Sequence, residues 1–174
     1  GVSSAASDVY KRQILKFFIP FLLVTGARRG EALGAEWDHI DFVKRTWVVP
    51  ISKSGKPRYI TLSNGALKIL EKVQAFVRGK IGENKYIFPN IATGKKYSQI
   101  YYSWDLARRK AGLGDVRMHD LRHSFASALV NQGQTLYDVK ELLGHSNIQT
   151  TQRYAHLSQE RLMGAANKAD AYLD

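Results

Sequence analysis

The sequence predicts a mainly α domain with one small antiparallel β-sheet near its N-terminal third, an α+β arrangement. Three observations carry this. The chain has 174 residues, 44% hydrophobic and 24% charged, which is ordinary globular composition and enough length for one domain with a buried core. Apolar residues recur at helical spacing along most of it. One stretch, Thr46 to Leu62, replaces that period with two β-branched and aromatic runs around a Ser-Gly turn.

Residues 1–12, GVSSAASDVYKR, are small and polar without an apolar period. They read as an unstructured tail, linker or cloning scar, leaving 13–174 as the domain. Helix is predicted from Gln13 to Val24, stopping at Thr25-Gly26. Lys11-Arg12 ahead of this apolar run give it the outline of a signal peptide. Lys16 interrupts the run, Arg28-Arg29 follow it, and it falls short of the roughly 20 residues a bilayer requires. It is read as a buried core helix, and no membrane partner is expected. A short helix follows from Arg29 to Gly34. Thr46–Ile51 and Arg58–Leu62 pair as a hairpin through Ser54-Gly55. Ser63 or Asn64 caps a helix with Leu67, Leu70, Val73 and Val77 on one face. Tyr86–Phe88, before Pro89, is a candidate third, short strand. Further helices are expected over 98–111, 119–132, 135–143, 147–155 and 159–171. The 135–143 helix opens on Thr135-Leu-Tyr-Asp138, a capping-box pattern, and closes on Gly144, where a left-handed residue is expected. His145 is then presented on a tight turn, with the next helix starting near Ser146-Asn147.

Lys and Arg total 26 against 15 Asp and Glu, a net charge of +11. Such a chain suits a polyanion, nucleic acid first. No acid occurs between Asp41 and Glu71, a window holding Lys44, Arg45, Lys53, Lys56, Arg58 and Lys68. Several acid-free windows in one small domain favour a phosphate-tracking surface. There are no cysteines, which excludes a disulfide scaffold, a thiol nucleophile and thiolate metal sites, and fits an intracellular protein.

Five constellations could carry chemistry. Thr25-Gly-Ala-Arg-Arg-Gly-Glu31 sets Arg28 and Glu31 three apart after a glycine break, where a carboxylate can orient a guanidinium. Ser52-Lys-Ser-Gly-Lys56 puts Lys53 on the hairpin, but lacks the further residues of a nucleotide-binding P-loop. His119-Asp-Leu-Arg-His123 places two histidines one turn apart, half of a zinc-protease pattern. Asp120 stands where a Glu is needed, Arg122 repels a dication, and no third ligand is spaced to help. His119 and Arg122 share a face and could contact one phosphate. Finally, Gln152-Arg-Tyr-Ala-His156 holds a tyrosine between basic groups, although composition does not single out Tyr154 among nine tyrosines.

In this order the motifs resemble the catalytic domain of tyrosine recombinases, the phage-integrase family. These are Thr-Gly-Ala-Arg28-Arg-Gly-Glu31-Ala-Leu, Lys53 in a hairpin, His119-Asp-Leu-Arg122-His123, Leu-Leu-Gly-His145-Ser and Arg-Tyr154-Ala-His156-Leu-Ser. The resemblance covers about 14–160. It implies the DNA breaking-rejoining catalytic-domain fold and a site-specific recombinase acting on double-stranded DNA. Tyr154 is implied as nucleophile, with Arg28 and Arg122 clamping the scissile phosphate and His145 adding a hydrogen bond there. Lys53 would protonate the leaving 5′ oxygen, His119 would assist proton transfer, and Glu31 would position Arg28. Arg29, Lys56, Arg58 and Arg153 are the expected DNA-backbone contacts. A 3′-phosphotyrosine stores the phosphodiester energy, so no metal, ATP or other cofactor is expected. The resemblance also implies a homo-tetramer on paired sites, joined through helix 159–171, and a cytoplasmic protein of a bacterial nucleoid, phage or mobile element. The family's N-terminal core-binding domain and the opening helix of its catalytic domain are expected to be absent here. The competing readings are a type IB topoisomerase, a helix-turn-helix regulator built on 135–155, and a zinc hydrolase.

Overall fold

The computed structural model describes residues 3–145 and 148–173. Helix α1 runs Ser4–Thr25, opened by the Ser3 hydroxyl, which accepts from the Ala6 N–H at 3.2 Å. The unstructured tail expected over 1–12 is therefore corrected, because residues 4–12 form the opening turns of this helix. The Ser/Ala composition that reads as a linker also suits a helix, alanine being the best helix former. Tyr10 packs partly buried against the core, a tertiary contact that holds those turns. Further along, Ile14, Leu15, Phe18, Phe21 and Leu22 are buried. Gly26 ends the helix in the left-handed conformation at φ 68°, and a Cβ there would lie 2.4 Å from the Phe125 ring. Both facts require glycine.

Helix α2 follows at Arg29–Leu33. The sheet has strands β1 (Ile40–Asp41), β2 (Thr46–Val49) and β3 (Arg58–Thr61), ordered β1-β2-β3 and antiparallel throughout. Trp47 opposes Ile60, and Val49 opposes Arg58. Trp47 and Ile60 face inward, while Tyr59 is exposed. The third strand is thus Ile40–Asp41 rather than Tyr86–Phe88. Tyr86 makes an isolated bridge to Glu36, and Ile87 and Phe88 are buried in the core. The expected hairpin forms, with a long loop over 50–57 carrying Lys53.

Helix α3 (Asn64–Ile81) is capped by Ser63 as expected, its hydroxyl accepting from Ala66 N–H at 3.1 Å. Helices α4 (Tyr101–Lys110), α5 (Met118–Asn131) and α6 (Leu136–Leu143) agree with the predicted segments to within a few residues. The Thr135 cap and the left-handed Gly144 form as predicted. Helix α7 (Ile148–Thr151) runs into a 3₁₀ turn, Gln152–Tyr154, and then α8 (Ala155–Asn167), with a last 3₁₀ segment at Lys168–Leu173. The predicted helix start at Ser146-Asn147 lies outside the described residues. None of the described helices is long and apolar enough to cross a membrane.

Two hydrophobic clusters hold the chain. The larger joins α1, α3, the sheet and the 87–104 segment, with Phe18, Phe21, Phe88 and Trp47 at its centre. The smaller gathers Ala126, Val130, Val139, Leu143 and Tyr154 from α5, α6 and the turn before α8.

Candidate active site

The turn between α1 and α2 is built by its own hydroxyl. Thr25 Oγ1 donates to Phe21 O at 2.7 Å and accepts from Ala27 N–H at 3.2 Å. This delivers Arg28 to the start of α2, where its N–H donates to Glu31 Oε1 at 2.7 Å. Glu31 also lies 3.9 Å from the Arg28 guanidinium. Its closer partner is Arg58, whose Nη1 donates to both carboxylate oxygens at 2.9 and 3.0 Å. Arg58 Nη2 continues to Leu142 O at 3.2 Å. Arg58 is 6% exposed, so its expected role as a DNA contact is corrected. It is an interior strut tying β3 to α2 and to the end of α6. Burial lowers its pKa against the pull of Glu31.

Arg122, also buried, is a second strut. Its Nη1 donates to Gly26 O at 2.5 Å and its Nη2 to Leu143 O at 2.7 Å. Both acceptors lie at helix C-termini, where carbonyls lack helical partners and the dipole favours a cation. Burial, then the nearby Arg28 and Arg58, push Arg122 down to about 9, which leaves it charged at neutral pH. A guanidinium has five donors, so two bonds leave donors for another oxygen.

His145 follows Gly144, and its Nδ1 lies 2.8 Å from the buried Thr151 hydroxyl. Burial and the surrounding Arg122, Arg28, Arg153 and Arg58 push its pKa down to about 4, so the ring is neutral near pH 7. His119, exposed near the start of α5, is likewise lowered, first by burial, then by His123, Arg122, Arg28 and Arg117.

These groups meet at two adjoining clefts that share Arg28 and Lys53. One, of about 300 Å³, is also lined by Arg29, Gly30, His119 and Arg122. The other, of about 280 Å³, adds Ser52, Ser54, Gly144, His145 and Thr150. The predicted Arg28, Lys53, His119, Arg122 and His145 thus converge, with Glu31 behind them. Arg29 lines the first cleft, while Lys56 and Arg153 are exposed nearby in sequence. A cleft so rich in fixed donors and positive charge suits an anion with several oxygens.

Tyr154 lines neither cleft. Its ring belongs to the smaller core and is 4% exposed. Its hydroxyl lies 2.5 Å from His123 Nδ1. Burial raises its pKa, opposed by Arg153 and Arg122. His123, Thr151 and the strut role of Arg58 were missed by sequence reasoning. His123 did carry a signal, next to Arg122 and one turn from His119, but that spacing reads as a metal pair. The two rings meet edge-on with centroids 4.9 Å apart. Among the described residues no group of three His, Cys, Asp or Glu is placed to hold a metal ion.

The phage integrase family model matches residues 4–161. The integrase of Salmonella phage P22 is 31% identical over 172 residues, covering 90% of this chain and 43% of that protein. Tyrosine recombinase XerC of Corynebacterium glutamicum is 35% identical over 154 residues, covering 87% and 49%. The chain spans about half the length of the curated relatives it matches. Among solved structures, XerA recombinase superposes with a TM-score of 0.70 at 22% identity, over 97% of this chain and 63% of that one. The catalytic domain of bacteriophage HP1 integrase gives 0.63 at 23% identity, over 95% and 92%. The fold is therefore that of tyrosine-recombinase catalytic domains.

Proposed function

We propose that this chain, which belongs to the phage integrase family, cuts and rejoins double-stranded DNA at specific sites through a 3′-phosphotyrosine. The observation that carries this reading is the convergence of Arg28, Lys53, His119, Arg122 and His145 on one pair of clefts, with Tyr154 held beside Arg122. The Tyr154 oxygen attacks phosphorus, the bond to the 5′ oxygen breaks, and Lys53 supplies that oxygen's proton. Negative charge growing on the phosphoryl oxygens meets the free donors of Arg122 and Arg28, already in place, and such pre-set donors are the main source of rate. His145 adds a neutral hydrogen bond. His119 passes protons at the cleft wall. Glu31 acts from behind, fixing Arg28 through its backbone and Arg58 through its side chain. Rejoining runs the same steps backwards, with a 5′ hydroxyl as attacker, so neither ATP nor a metal enters.

Arg29, Lys56 and Arg153 are the proposed backbone contacts, and the protein works in the cytoplasm on DNA. Exposed Leu162, Met163, Tyr172 and Leu173 support the further proposal that the C-terminal segment joins copies into a tetramer on paired sites.

The deciding experiment is incubation with nicked suicide DNA followed by a denaturing gel. A covalent adduct is expected, equal in EDTA and in magnesium. Tyr154→Phe should abolish it while the native-gel shift persists, and Tyr137→Phe, on the exposed side of α6, should keep it. Adduct from Tyr154→Phe would overturn the nucleophile assignment. Binding should weaken with salt at a log–log slope steeper than about −3, for a handful of neutralised phosphates.

A further inference from the structure

The tyrosine's proton has to go somewhere, and Tyr154 lines neither of the clefts that hold His119 and His145. Among the described residues the phenol is hydrogen-bonded by the Arg153 guanidinium, which has no lone pair to take a proton, and by His123, Nδ1 to hydroxyl at 2.5 Å. From this contact we propose that His123 is the catalytic base of strand cleavage. As the phenol oxygen bonds to phosphorus, its O–H bond breaks and the proton passes to Nδ1, while the phosphorus–5′ oxygen bond breaks and Lys53 protonates the leaving oxygen. The proposal rests on the strand-transfer reading above.

The surroundings of His123 suit a base that is neutral at rest. The first cause is burial, and Arg153, Arg117 and Arg122 add to it, lowering its pKa against the opposing pull of Asp120. His119 meets its ring edge-on, and the charged groups acting on it come from its own helix, from the Arg117 cap of that helix and from Arg153 in the turn before α8. Neutral imidazole accepts at one nitrogen only, so the tautomer required carries its proton on Nε2. Arg153 Nη1 lies 3.3 Å from Nε2 and 3.5 Å from Nδ1. Arg153 thus sets a positive charge directly beside the ring. There it repels a proton from the imidazole.

That position also ties the base to DNA. Arg153 is exposed and is a proposed phosphate contact. A phosphate paired with Arg153 offsets its charge and makes His123 a stronger base when the substrate is seated. Tyr154 then loses its proton most readily on DNA, and free protein keeps its nucleophile protonated and packed.

The test uses His123→Asn, whose amide oxygen can stand near the Nδ1 position and hold the hydroxyl without taking its proton. With suicide DNA at pH 7, adduct formation should slow by about 10²–10⁴-fold, the usual worth of a positioned base, with unchanged DNA affinity. The variant's rate should then climb about tenfold per pH unit toward the ordinary phenol range near 10, because the phenol must ionise unaided. The unaltered chain should instead be flat near neutrality and lose rate in acid, with a midpoint matching the His123 titration read by NMR on the protein–DNA complex. Arg153→Gln removes a positive neighbour, so it should move that midpoint to higher pH. A bridging 5′-phosphorothiolate, whose thiolate leaves without a proton, should rescue Lys53→Ala and not His123→Asn. Three results would overturn the proposal: His123→Asn cleaving within threefold of the unaltered chain at pH 7, an acid limb that survives in that variant, or a midpoint that departs from the His123 titration. The NMR comparison uses the unaltered chain and decides the matter even where His123→Asn fails to fold. DNA binding without adduct from the unaltered chain is a different result, and it defeats the strand-transfer reading itself.

Discussion

The two hydrophobic clusters differ in what they carry. The larger, built on α1, α3 and the sheet, buries six aromatic rings, Phe18, Phe21, Trp47, Phe88, Tyr97 and Trp104, and holds Arg28, Glu31 and the Lys53 hairpin from behind. The smaller, from α5 to α8, buries four aliphatic side chains and the polar-tipped ring of Tyr154, with Phe125 packed partly buried against them. Arg28 and Lys53, the proposed phosphate-binding cations, thus stand on a stiff platform, while Tyr154, the proposed nucleophile, sits in a thin core that can open at lower cost. Elements needing to move are drawn from the less stable part of a fold, and the smaller cluster is the one that holds Tyr154.

Five measurements would break or sharpen this contrast. Phe21→Ala, in the larger core, is expected to cost about 3–5 kcal/mol, seen as a lower urea midpoint for the whole chain. Hydrogen exchange should show amides of α6 and α8 opening well before those of α1 and α3. Simultaneous loss of protection would mean one core, not two. Next in size, Gly144→Ala forces a Cβ to 2.2 Å from Arg58 Nε at φ 68°. Overpacking costs about 1–3 kcal/mol, and adduct formation should fall with it, because His145 is the next residue. A loss of stability with full activity would separate the turn from the site.

Acidification should have a smaller and directional effect. His119, His123 and His145 all have folded pKa values below 6.5, that of His145 about 4. Between those limits the unfolded chain binds more protons than the folded one, so stability is full above about pH 6.5 and declines toward pH 4. His145→Gln should flatten part of that decline in urea melts, and an unchanged slope would assign it elsewhere. Tyr154→Phe should be the mildest, about 0.5–1.5 kcal/mol for one hydrogen bond, measured by thermal melting. A much larger loss would mean that the His123 contact holds the smaller core together.

Most elements were legible in the sequence because their signals are local. Ser63 and Thr135 cap the helices they precede, Gly144 takes the left-handed turn, and the Thr46–Leu62 hairpin follows its composition. The misread features depend on partners far along the chain. Arg58 sits in a window without acids and reads as solvent-facing, yet its carboxylate is Glu31, 27 residues earlier. His123 finds Tyr154 31 residues later, and neither spacing has a periodic signature. Residues 4–12 read as linker because their apolar anchor, Tyr10, is a single residue. The third strand went to Ile40–Asp41 because a two-residue strand has no pattern to read.

Arg122 and Arg58 grip the carbonyls of Gly26, Leu142 and Leu143, which are main-chain atoms. Every amino acid supplies the same carbonyl, so drift in the side chains of α6 leaves the anchor points of both struts in place. The outward face of α6 can therefore vary without dismantling the paired clefts. The same anchoring makes arginine hard to replace at 58 and 122. Lysine has one nitrogen where each strut uses two, and it could not span both acceptors at once.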